Sequence, residues 1–378
     1  MRKLRLFSPG PTMVPPEVTA AMAGPFDHHR TAAHRAIFRE VTENLQYVFQ
    51  TSASVCIVTG SGTAAMESAI VGVGAPNSKA LVLCGGKFGE RWAKVCKSYR
   101  INHVAHQMEW GTAPSGELVA ELLAKDSAID TVIVTHCETS TAAAADLQAI
   151  AEVTRRRDCL LVVDGITSVG ALPVRMDEWG VDVVVTSSQK ALMTPPGLGF
   201  VAVSERAWKR IDSFASPALY LCLKAYRQGF PTQDHPYTPA ITLLRGLQVA
   251  LRMMREEGME NIWRRTATLA RATRAAVEAM GLRVFARDPS DSLTAVLLPE
   301  GFDEPTFRRR LREEYGILVA GGQDQLKGRI FRINHMGYVD ATDTLGAIAA
   351  FEMLLSDMGH SFPLGAGVAA AMQAAKES

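Results

Sequence analysis

Short, continuous apolar runs recur between residues 55 and 204, and helix-like segments separate them. The runs are "VCIVTG" (55–60), "ALVLCGG" (80–86), "TVIVTHCETS" (131–140), "CLLVVDG" (159–165), "VDVVVTSS" (181–188) and "GFVAVS" (199–204). The helix pattern is carried by "SGTAAMESAIVGV" (61–73), "KFGERWAKVCKSY" (87–99) and "DLQAIAEVTRRR" (146–157). Apolar residues in continuous rather than alternating order are typical of strands that are covered on both faces. The chain is therefore predicted to be an α/β protein with a mainly parallel sheet between layers of helices.

Small, acidic and basic residues stand where these strands end, at the edge where parallel sheets bind ligands. Residues 59–63, "TGSGT", open a helix. Such an N-terminus favours a phosphate, although a tight turn uses the same residues. Asp164 follows "LLVV" and could be a helix cap, and Lys190 follows "VVVTSSQ" and could be the first solvated residue. Together these features match what pyridoxal phosphate needs, which is a lysine for the Schiff base, a carboxylate for the pyridine nitrogen and a phosphate site.

The order and spacing of motifs along nearly the whole chain carry a family resemblance. The motifs are "LFSPGPTMVPPEV", "DHHRTAAHRAIF", "TGSGTAAMESA", "GGKFGERW", "THCETSTA", "VVDGITSVG", "SSQKALMTPPG", "YTPAITLLRGL", "FRINHMG" and "LGAGVAAA". In this order they resemble the class V, fold-type I aminotransferases, in particular the alanine–glyoxylate and serine–glyoxylate (or serine–pyruvate) group. The resemblance implies the fold of a PLP-dependent transferase of fold type I, with a mainly parallel sheet in a large domain and a smaller α+β C-terminal domain.

The resemblance also implies a role for individual residues around the cofactor. Lys190 matches the Schiff-base lysine that later shuttles the substrate proton, and Asp164 matches the partner of the pyridine nitrogen. Phe88 takes the place of the aromatic residue that stacks on the ring, and Thr139 matches the hydroxyl residue near the O3′ oxygen. The implied phosphate cradle comprises Ser61, Gly62, Thr63 and Gln189 of one subunit, with Thr238 and His235 of its partner. Since the partner would complete the site, a homodimer with shared active sites is expected.

Arg332 in "FRINHMG" matches the arginine that binds the substrate carboxylate, for which a planar guanidinium is suited. The activity that the resemblance implies is transfer of an amino group from L-alanine or L-serine to glyoxylate by a ping-pong mechanism. Cys137, Ala142 and Asn334 occupy positions where relatives often have glycine, which leaves the substrate open. Aspartate or ureidoglycine as donor, or pyruvate as acceptor, stay as alternatives.

The chain is divided, as an expectation, into an N-terminal arm (1–20), a large cofactor-binding domain (21–255) and a small C-terminal domain (256–378). In the last of these, "RVFA", "TAVLLP" and "GRIFRIN" are predicted strands, and "EPTFRRRLREEY" is a predicted helix. A chain of 378 residues exceeds one ordinary core, which fits a large and a small domain.

Composition excludes several classes of partner. Lys+Arg 40 against Asp+Glu 39 leaves a net charge of +1, which argues against nucleic-acid binding. No apolar stretch approaches the roughly eighteen residues of a membrane span. The cysteines form no close CxxC pair and suit a reducing cytoplasm, which is the predicted location. His28, His29 and His34 lie close in sequence without complementary ligands, so no metal is predicted.

The same residues argue against other activities. Cysteine desulfuration needs a nucleophilic cysteine in the C-terminal part, and no cysteine follows Cys222. A transaminase of free pyridoxamine would lack the phosphate cradle that "SGT" suggests. A Rossmann-like nucleotide-binding protein without pyridoxal phosphate would leave Lys190 unexplained, and no GxGxxG follows the first strand.

Overall fold

The computed structural model describes residues 3–25 and 27–376, so the first two residues of the predicted arm and the last two of the predicted C-terminal domain lie outside it. The strands are β1 (Arg5–Leu6), β2 (Val55–Thr59), β3 (Ala80–Cys84), β4 (His103–Gln107), β5 (Thr131–Thr135), β6 (Cys137–Glu138), β7 (Ala143–Ala144), β8 (Leu160–Asp164), β9 (Val183–Ser187), β10 (Leu198–Val203), β11 (Arg283–Val284), β12 (Leu293–Leu297), β13 (Ile317–Leu318), β14 (Ala320–Gly321) and β15 (Ile330–Asn334). The helices are α1 (Pro16–Ala23), α2 (Ala32–Phe49), α3 (Gly62–Val73), α4 (Lys87–Ser98), α5 (Gly116–Lys125), α6 (Leu147–Arg156), α7 (Met176–Trp179), α8 (Glu205–Asp212), α9 (Leu223–Gly229), α10 (Ile241–Glu257), α11 (Met259–Ala279), α12 (Glu304–Tyr315), α13 (Ala341–Asp357) and α14 (Ala366–Lys376), with a short 3₁₀ turn at Asp324–Leu326.

The central sheet has seven strands in the order β2-β10-β9-β8-β5-β3-β4. β9, β8, β5, β3 and β4 pair in parallel, while β10 runs antiparallel to both of its neighbours. The predicted α/β class and mainly parallel sheet are therefore confirmed. The sequence did not predict β4, because this edge strand is largely exposed and "HVAHQ" contains no continuous apolar run.

Two hydrophobic cores cover the two faces of this sheet, which explains why its strands are apolar throughout. Along β8, Leu161 and Val163 face one core, and Leu160 and Val162 face the other. Because successive side chains of a strand point to opposite faces, a strand buried on both sides needs apolar residues at every position. In β2, β8 and β9 the polar residues stand at the C-terminal end of the strand, and that edge carries the candidate site.

The second sheet is antiparallel, in the order β11-β12-β15-β14. Its strands and α12 confirm the elements predicted between residues 283 and 334. Phe307, Phe331 and Phe351 pack together in its core, with ring centroids 5.1 to 6.4 Å apart. The exact division of the chain into domains at residues 20 and 255 stays a prediction.

The N-terminal segment joins the two sheets. β1 pairs in parallel with β13, and Phe7 is fully buried in the core of the second sheet. The Phe7 carbonyl accepts a hydrogen bond from the backbone N–H of Asn334 at 2.8 Å. Beyond Phe7 the segment turns toward the central sheet through a cis Gly10–Pro11 peptide and reaches Lys190. The segment thus positions the edge of one sheet against the edge of the other.

The helices and the cysteines bear on two predictions made from composition. Within the described ranges, no helix is long and apolar enough to cross a membrane. All the cysteines are free, and all except the half-buried Cys222 are buried. Burial raises the pKa of Cys56 and of Cys96 to about 12, so these thiols stay protonated and unreactive at neutral pH.

A buried histidine should make stability depend on pH. His335 is fully buried, accepts or donates one hydrogen bond to Thr294 at 2.8 Å through Nε2, and has no partner at Nδ1. Burial lowers the pKa of His335 from 6.5 to about 3. The unfolded chain therefore takes up the proton first, and the stability contributed by neutral His335 is lost as the pH falls below 6.5.

We expect wild-type protein to lose about 2 kcal/mol of unfolding free energy relative to His335→Gln between about pH 7 and about pH 5. The glutamine can keep a hydrogen bond to Thr294 and does not titrate. Urea unfolding of both proteins at the two pH values measures the difference, and other titrating groups cancel in the comparison. Parallel pH dependence of the two proteins would contradict the assignment.

Candidate active site

Lys190 lies in the turn after β9, and its side chain is only 8% exposed. Its Nζ donates a hydrogen bond to the Pro9 carbonyl, and no carboxylate in the described part of the chain lies within ion-pair distance of it. Burial, aided by the Arg332 guanidinium, lowers the pKa of Lys190 to about 8. A lysine amine reacts with carbonyls in its neutral form, which this environment favours. The interpretation of Lys190 as a solvated residue is therefore wrong.

The N-terminal segment covers Lys190 directly. A Cβ built on Gly10 would lie 2.5 Å from Nζ and 2.6 Å from Cε of Lys190, and Gly10 has a φ of +124°. Thr12 fixes the same turn, because its Oγ1 donates to the Lys190 carbonyl at 2.8 Å and its N–H donates to the Gln189 carbonyl at 3.1 Å. Only glycine permits this approach of the segment to the amine. This contact was not predicted from the sequence.

Asp164 ends β8, the parallel neighbour of β9, as the sequence predicted. Its Oδ1 accepts the N–H of Ile166 at 3.0 Å, and its Oδ2 accepts the indole N–H of Trp92 at 2.9 Å. Burial raises the pKa of Asp164 to about 6, and these two donors act against the rise. Each carboxylate oxygen is therefore held by one hydrogen bond, and the carboxylate can accept a further hydrogen bond from a cationic N–H. Trp92 was not predicted, because a tryptophan in the middle of a helix also suits a core.

The turn after β2 has the features of an anion site. α3 begins at Gly62, and its N-cap Ser61 makes no side-chain cap hydrogen bond, so the first amides of the helix remain available. A Cβ on Gly62 would collide with Ile166 at 2.8 Å and approach Ser187 at 3.2 Å, so the turn closes tightly against both. Ser187 Oγ and Gln189 Oε1 are buried without a hydrogen-bond partner. Thr63 is half-buried in the same turn.

The residues around this edge of the sheet match the groups of pyridoxal phosphate. The open helix N-terminus suits a phosphate, and Ser187 and Gln189 would gain a partner there. Phe88, half-buried in the first turn of α4, and Ile166, beside Asp164, offer apolar surface for a flat ring. Lys190 and Asp164 supply the amine and the carboxylate. The donor set therefore fits the cofactor, with Ser187 and Ile166 added to the predicted residues.

Glu138 connects several parts of the site and was not predicted. Its buried carboxylate accepts the N–H groups of Phe88 at 3.1 Å and Gly89 at 3.0 Å, which are orphan amides of the first turn of α4. It also accepts the N–H of Ser140 at 3.1 Å. The N-cap of α4, Gly86, has no side-chain cap of its own, so Glu138 replaces it from another segment. Burial raises the pKa of Glu138 despite these donors.

Arg332 on β15 is buried and held by backbone carbonyls. Its Nε and Nη2 donate to the Gly321 carbonyl at 3.1 and 2.7 Å, and its Nη1 donates to the Thr139 carbonyl at 2.7 Å. One N–H of each terminal nitrogen remains available to donate to a carboxylate. Burial lowers the pKa of Arg332 to about 10, so the group is still a cation at neutral pH. Thr139, predicted as a site residue, thus contacts Arg332 through its carbonyl and Thr167 through its hydroxyl at 2.9 Å.

His235 and Thr238 differ in how a partner could use them. The His235 ring is buried, packs edge-on against Phe38 with centroids 4.3 Å apart, and lies 5.4 Å from the ring of His34. Thr238 is exposed, and Ala240 just after it donates to Thr59 at the end of β2 at 3.3 Å. The structure of one chain does not bring either residue to Lys190, and their roles across a dimer stay a prediction.

The histidines near residue 30 do not gather metal ligands. His28 and His29 stack with centroids 4.3 Å apart, and Arg30 pairs with Asp234 at 2.7 Å. Within residues 3–25 and 27–376, no group of three or more His, Cys, Asp or Glu side chains could hold a metal ion.

Comparison with known proteins extends over nearly the whole chain. The family model described as aminotransferase class-V matches residues 5–336. The chain is 42% identical to an uncharacterized aminotransferase of Methanocaldococcus jannaschii, covering 94% of each protein, and 36% identical to the serine–glyoxylate aminotransferase of Methylorubrum extorquens, covering 99% of this chain and 96% of that protein. A relative from Anabaena cylindrica, 41% identical over 98% of each chain, is named the soluble hydrogenase 42 kDa subunit.

Solved structures agree with the sequence matches. The ureidoglycine–glyoxylate aminotransferase of Bacillus subtilis superposes with a TM-score of 0.94 at 29% identity, covering 100% of this chain and 99% of the other. The pyridoxamine–pyruvate aminotransferase of Mesorhizobium loti superposes with a TM-score of 0.95 at 27% identity, covering 100% and 98%. The fold is that of the fold-type I transferases, as predicted, and the Rossmann-type alternative is wrong.

The contact between Gly10 and Lys190 can be tested by adding one methyl group. In Gly10→Ala the new Cβ would collide with the lysine side chain, so the segment must move and admit water. The pKa of Lys190 should then rise from about 8 toward 10.5, as the amine is rehydrated. The pH dependence of its reaction with an amine-specific reagent, followed by peptide mapping, measures this change.

Gly281→Ala is the matched control. Gly281 also has a positive φ, +70°, but a Cβ there meets nothing within 4 Å, so this variant introduces the same kind of backbone strain without a collision. It should leave the reactivity of Lys190 unchanged. Equal Lys190 profiles in Gly10→Ala and wild type would show that the segment does not control the amine.

Proposed function

This chain belongs to the class-V aminotransferase family, and on that premise we propose that it uses pyridoxal phosphate to transfer an amino group from L-alanine or L-serine to glyoxylate by a ping-pong mechanism. The observation that carries the proposal is that Lys190, a buried amine without an ion-pair partner among the described residues, follows β9, while the buried carboxylate of Asp164 ends the adjacent parallel strand β8. When bound, pyridoxal phosphate supplies an aldehyde that combines with amines and a pyridine ring that accepts electrons.

Lys190 would hold the cofactor through Nζ and would also carry a proton. Its lowered pKa leaves a neutral fraction of the amine near neutral pH, and the neutral amine is the form that could combine with an aldehyde. When it does not hold the cofactor, the same Nζ would take up a proton from the substrate Cα and return it. The Pro9 carbonyl and Gly10 limit where Nζ can go, which keeps the proton transfer at a defined position.

Asp164 holds a proton on the pyridine nitrogen. Its Oδ1 and Oδ2 are oriented by Ile166 and Trp92, so a lone pair can accept the ring N–H without rearrangement. A pyridinium beside the carboxylate favours its ionised form and opposes the effect of burial. Trp92 is a positioning residue, since it acts through Asp164.

Arg332 offers a binding site for one substrate carboxylate. Arg332 has two N–H groups left for one carboxylate, and its orientation is fixed by Gly321 and Thr139 before any substrate binds. Glyoxylate has no side chain, so this clamp supplies most of its recognition. A pocket separates glyoxylate from pyruvate, which differs by a methyl group, by only about 1–3 kcal/mol.

The proposal also includes a homodimeric assembly and a cytoplasmic location. The proposed assembly is a homodimer in which Thr238, whose side chain is exposed in one chain, serves the neighbouring site, as the family resemblance implies. The free and mostly buried cysteines support a cytoplasmic location.

Spectroscopy and a panel of substrates test the function. Protein loaded with pyridoxal phosphate should be yellow, and borohydride should attach the cofactor to the peptide that contains Lys190 and to no other. L-alanine or L-serine should bleach the visible band, and glyoxylate should restore it. Labelling of another lysine, or failure of every 2-oxo acid to restore the band, would contradict the proposal. Faster turnover with aspartate, ureidoglycine or pyruvate would replace the substrates while leaving the aminotransferase chemistry in place.

Asp164→Asn should separate chemistry from folding. The substitution keeps the shape but cannot hold the ring proton, so kcat should fall by roughly 10²-fold or more, about 3 kcal/mol. Its stability should stay close to wild type, because an amide costs less to bury than a carboxylate.

Asp182→Asn provides the opposite control. Asp182 is equally buried, and it pairs with Arg206 at 2.6 Å away from the site. This variant should lower the urea midpoint and leave kcat unchanged. Near-normal turnover in Asp164→Asn would show that Asp164 does not serve the ring nitrogen.

A further inference from the structure

The proposed phosphate cradle contains only neutral groups. Ser61, Gly62, Thr63, Ser187 and Gln189 offer amides, hydroxyls and one carboxamide. A phosphate monoester carries about −1.5 to −2 charges at neutral pH, and burial of such an anion without a nearby cation is costly. A helix N-terminus supplies only about half of one positive charge. The cradle therefore lacks a full counter-charge.

Arg91 on α4 is the cation that lies beside this cradle. Its Nη1 is 3.5 Å from Thr63 Oγ1, and its Cζ is 4.8 Å from the centroid of the Phe88 ring. The spacing of three residues places Arg91 and Phe88 on the same face of α4. The side chain is half-buried, and no carboxylate of residues 3–25 and 27–376 lies within ion-pair distance of it.

The other cations near the site are already engaged. Lys87 pairs with Asp324, Arg332 donates to two carbonyls, and Lys190 is held by Pro9. The contact of Arg91 with Thr63 is at the outer limit of a hydrogen bond, so its N–H groups are largely unused. A guanidinium with free donors next to an open helix N-terminus is suited to bind phosphate oxygens.

We propose that Arg91 binds the phosphate group of the cofactor and supplies the positive charge that the neutral cradle lacks. This inference rests on the proposed function, because it concerns the same cofactor. It assigns Arg91 a direct contact with the phosphate, whereas packing on Phe88 alone would affect the ring and not the phosphate.

The experiment compares two ligands that differ only in the phosphate. The apoenzyme is titrated with pyridoxal phosphate and with pyridoxal, and the dissociation constants of both are measured by fluorescence quenching. Arg91→Met should weaken pyridoxal phosphate by roughly 10-fold or more, about 1.4 kcal/mol, and pyridoxal by less than about 2-fold. Arg91→Lys, which keeps the positive charge, should weaken the binding of pyridoxal phosphate much less. Any effect of Arg91 on Lys190 changes the dissociation constants of both ligands alike, so it cancels in the ratio of the two constants.

Lys87→Met is the matched control on the same helix. Lys87 is paired with Asp324 and does not contact the cradle, so its loss should leave the ratio of the two constants unchanged. Competition by inorganic phosphate gives an independent readout, which should weaken in Arg91→Met by a similar factor.

The outcomes separate the two proposals. If wild type binds pyridoxal phosphate at Lys190 but Arg91→Met weakens both ligands equally, Arg91 only supports Phe88 and this inference is wrong while the function stands. An unchanged ratio and unchanged phosphate competition overturn it as well. If wild type binds no pyridoxal phosphate, the proposed function fails, and the inference fails with it.

Discussion

Desolvation of two ionisable side chains is the constraint on which the site depends. Lys190 and Asp164 lie at the ends of neighbouring parallel strands, and both are almost fully buried. Burial moves the pKa of the amine down to about 8 and that of the carboxylate up to about 6, so each is brought closer to neutral pH. An amine that is partly neutral can react, and a carboxylate that regains its charge beside a cation can bind it strongly. Both effects need water to be excluded, and the surrounding elements provide that exclusion.

The exclusion comes from segments that are far apart in the chain. The N-terminal segment covers Lys190 through Pro9 and Gly10, and α4 covers Asp164 through Trp92. Glu138 fixes α4 by capping its first turn, and the next residue, Thr139, accepts a hydrogen bond from Arg332 on the second sheet. One loop after β5 therefore sets the positions of the aromatic residue and of the substrate arginine together. A change in that loop, such as a substitution at Cys137, would therefore affect both groups together.

The sequence predicted most of the fold because burial on both faces of a parallel sheet requires uninterrupted apolar runs, as in β8. It missed β4, whose exposed edge position imposes no such pattern. Lys190, Asp164 and the turn at Ser61 were predicted because they stand directly after strands. Glu138 also follows a strand, β5, so the same argument could have predicted it as a site residue. The roles of Trp92, Gly10 and Ile166 could not be predicted in this way, because they arise from contacts between segments that are distant in the sequence. His235 and Thr238 depend on a second subunit, which one sequence can suggest only by family resemblance.

The docking of the N-terminal segment has a consequence for how the protein is made. Phe7 and β1 are synthesised before their partners, β13 and the backbone at Asn334, which lie more than three hundred residues later in the sequence. The central sheet between residues 55 and 203 can close during synthesis, since all of its strands are by then available. Throughout that interval the apolar Phe7 lacks its core. Phe7 and β1 can therefore dock only after the chain has been synthesised to about residue 334, much later than the central sheet can close.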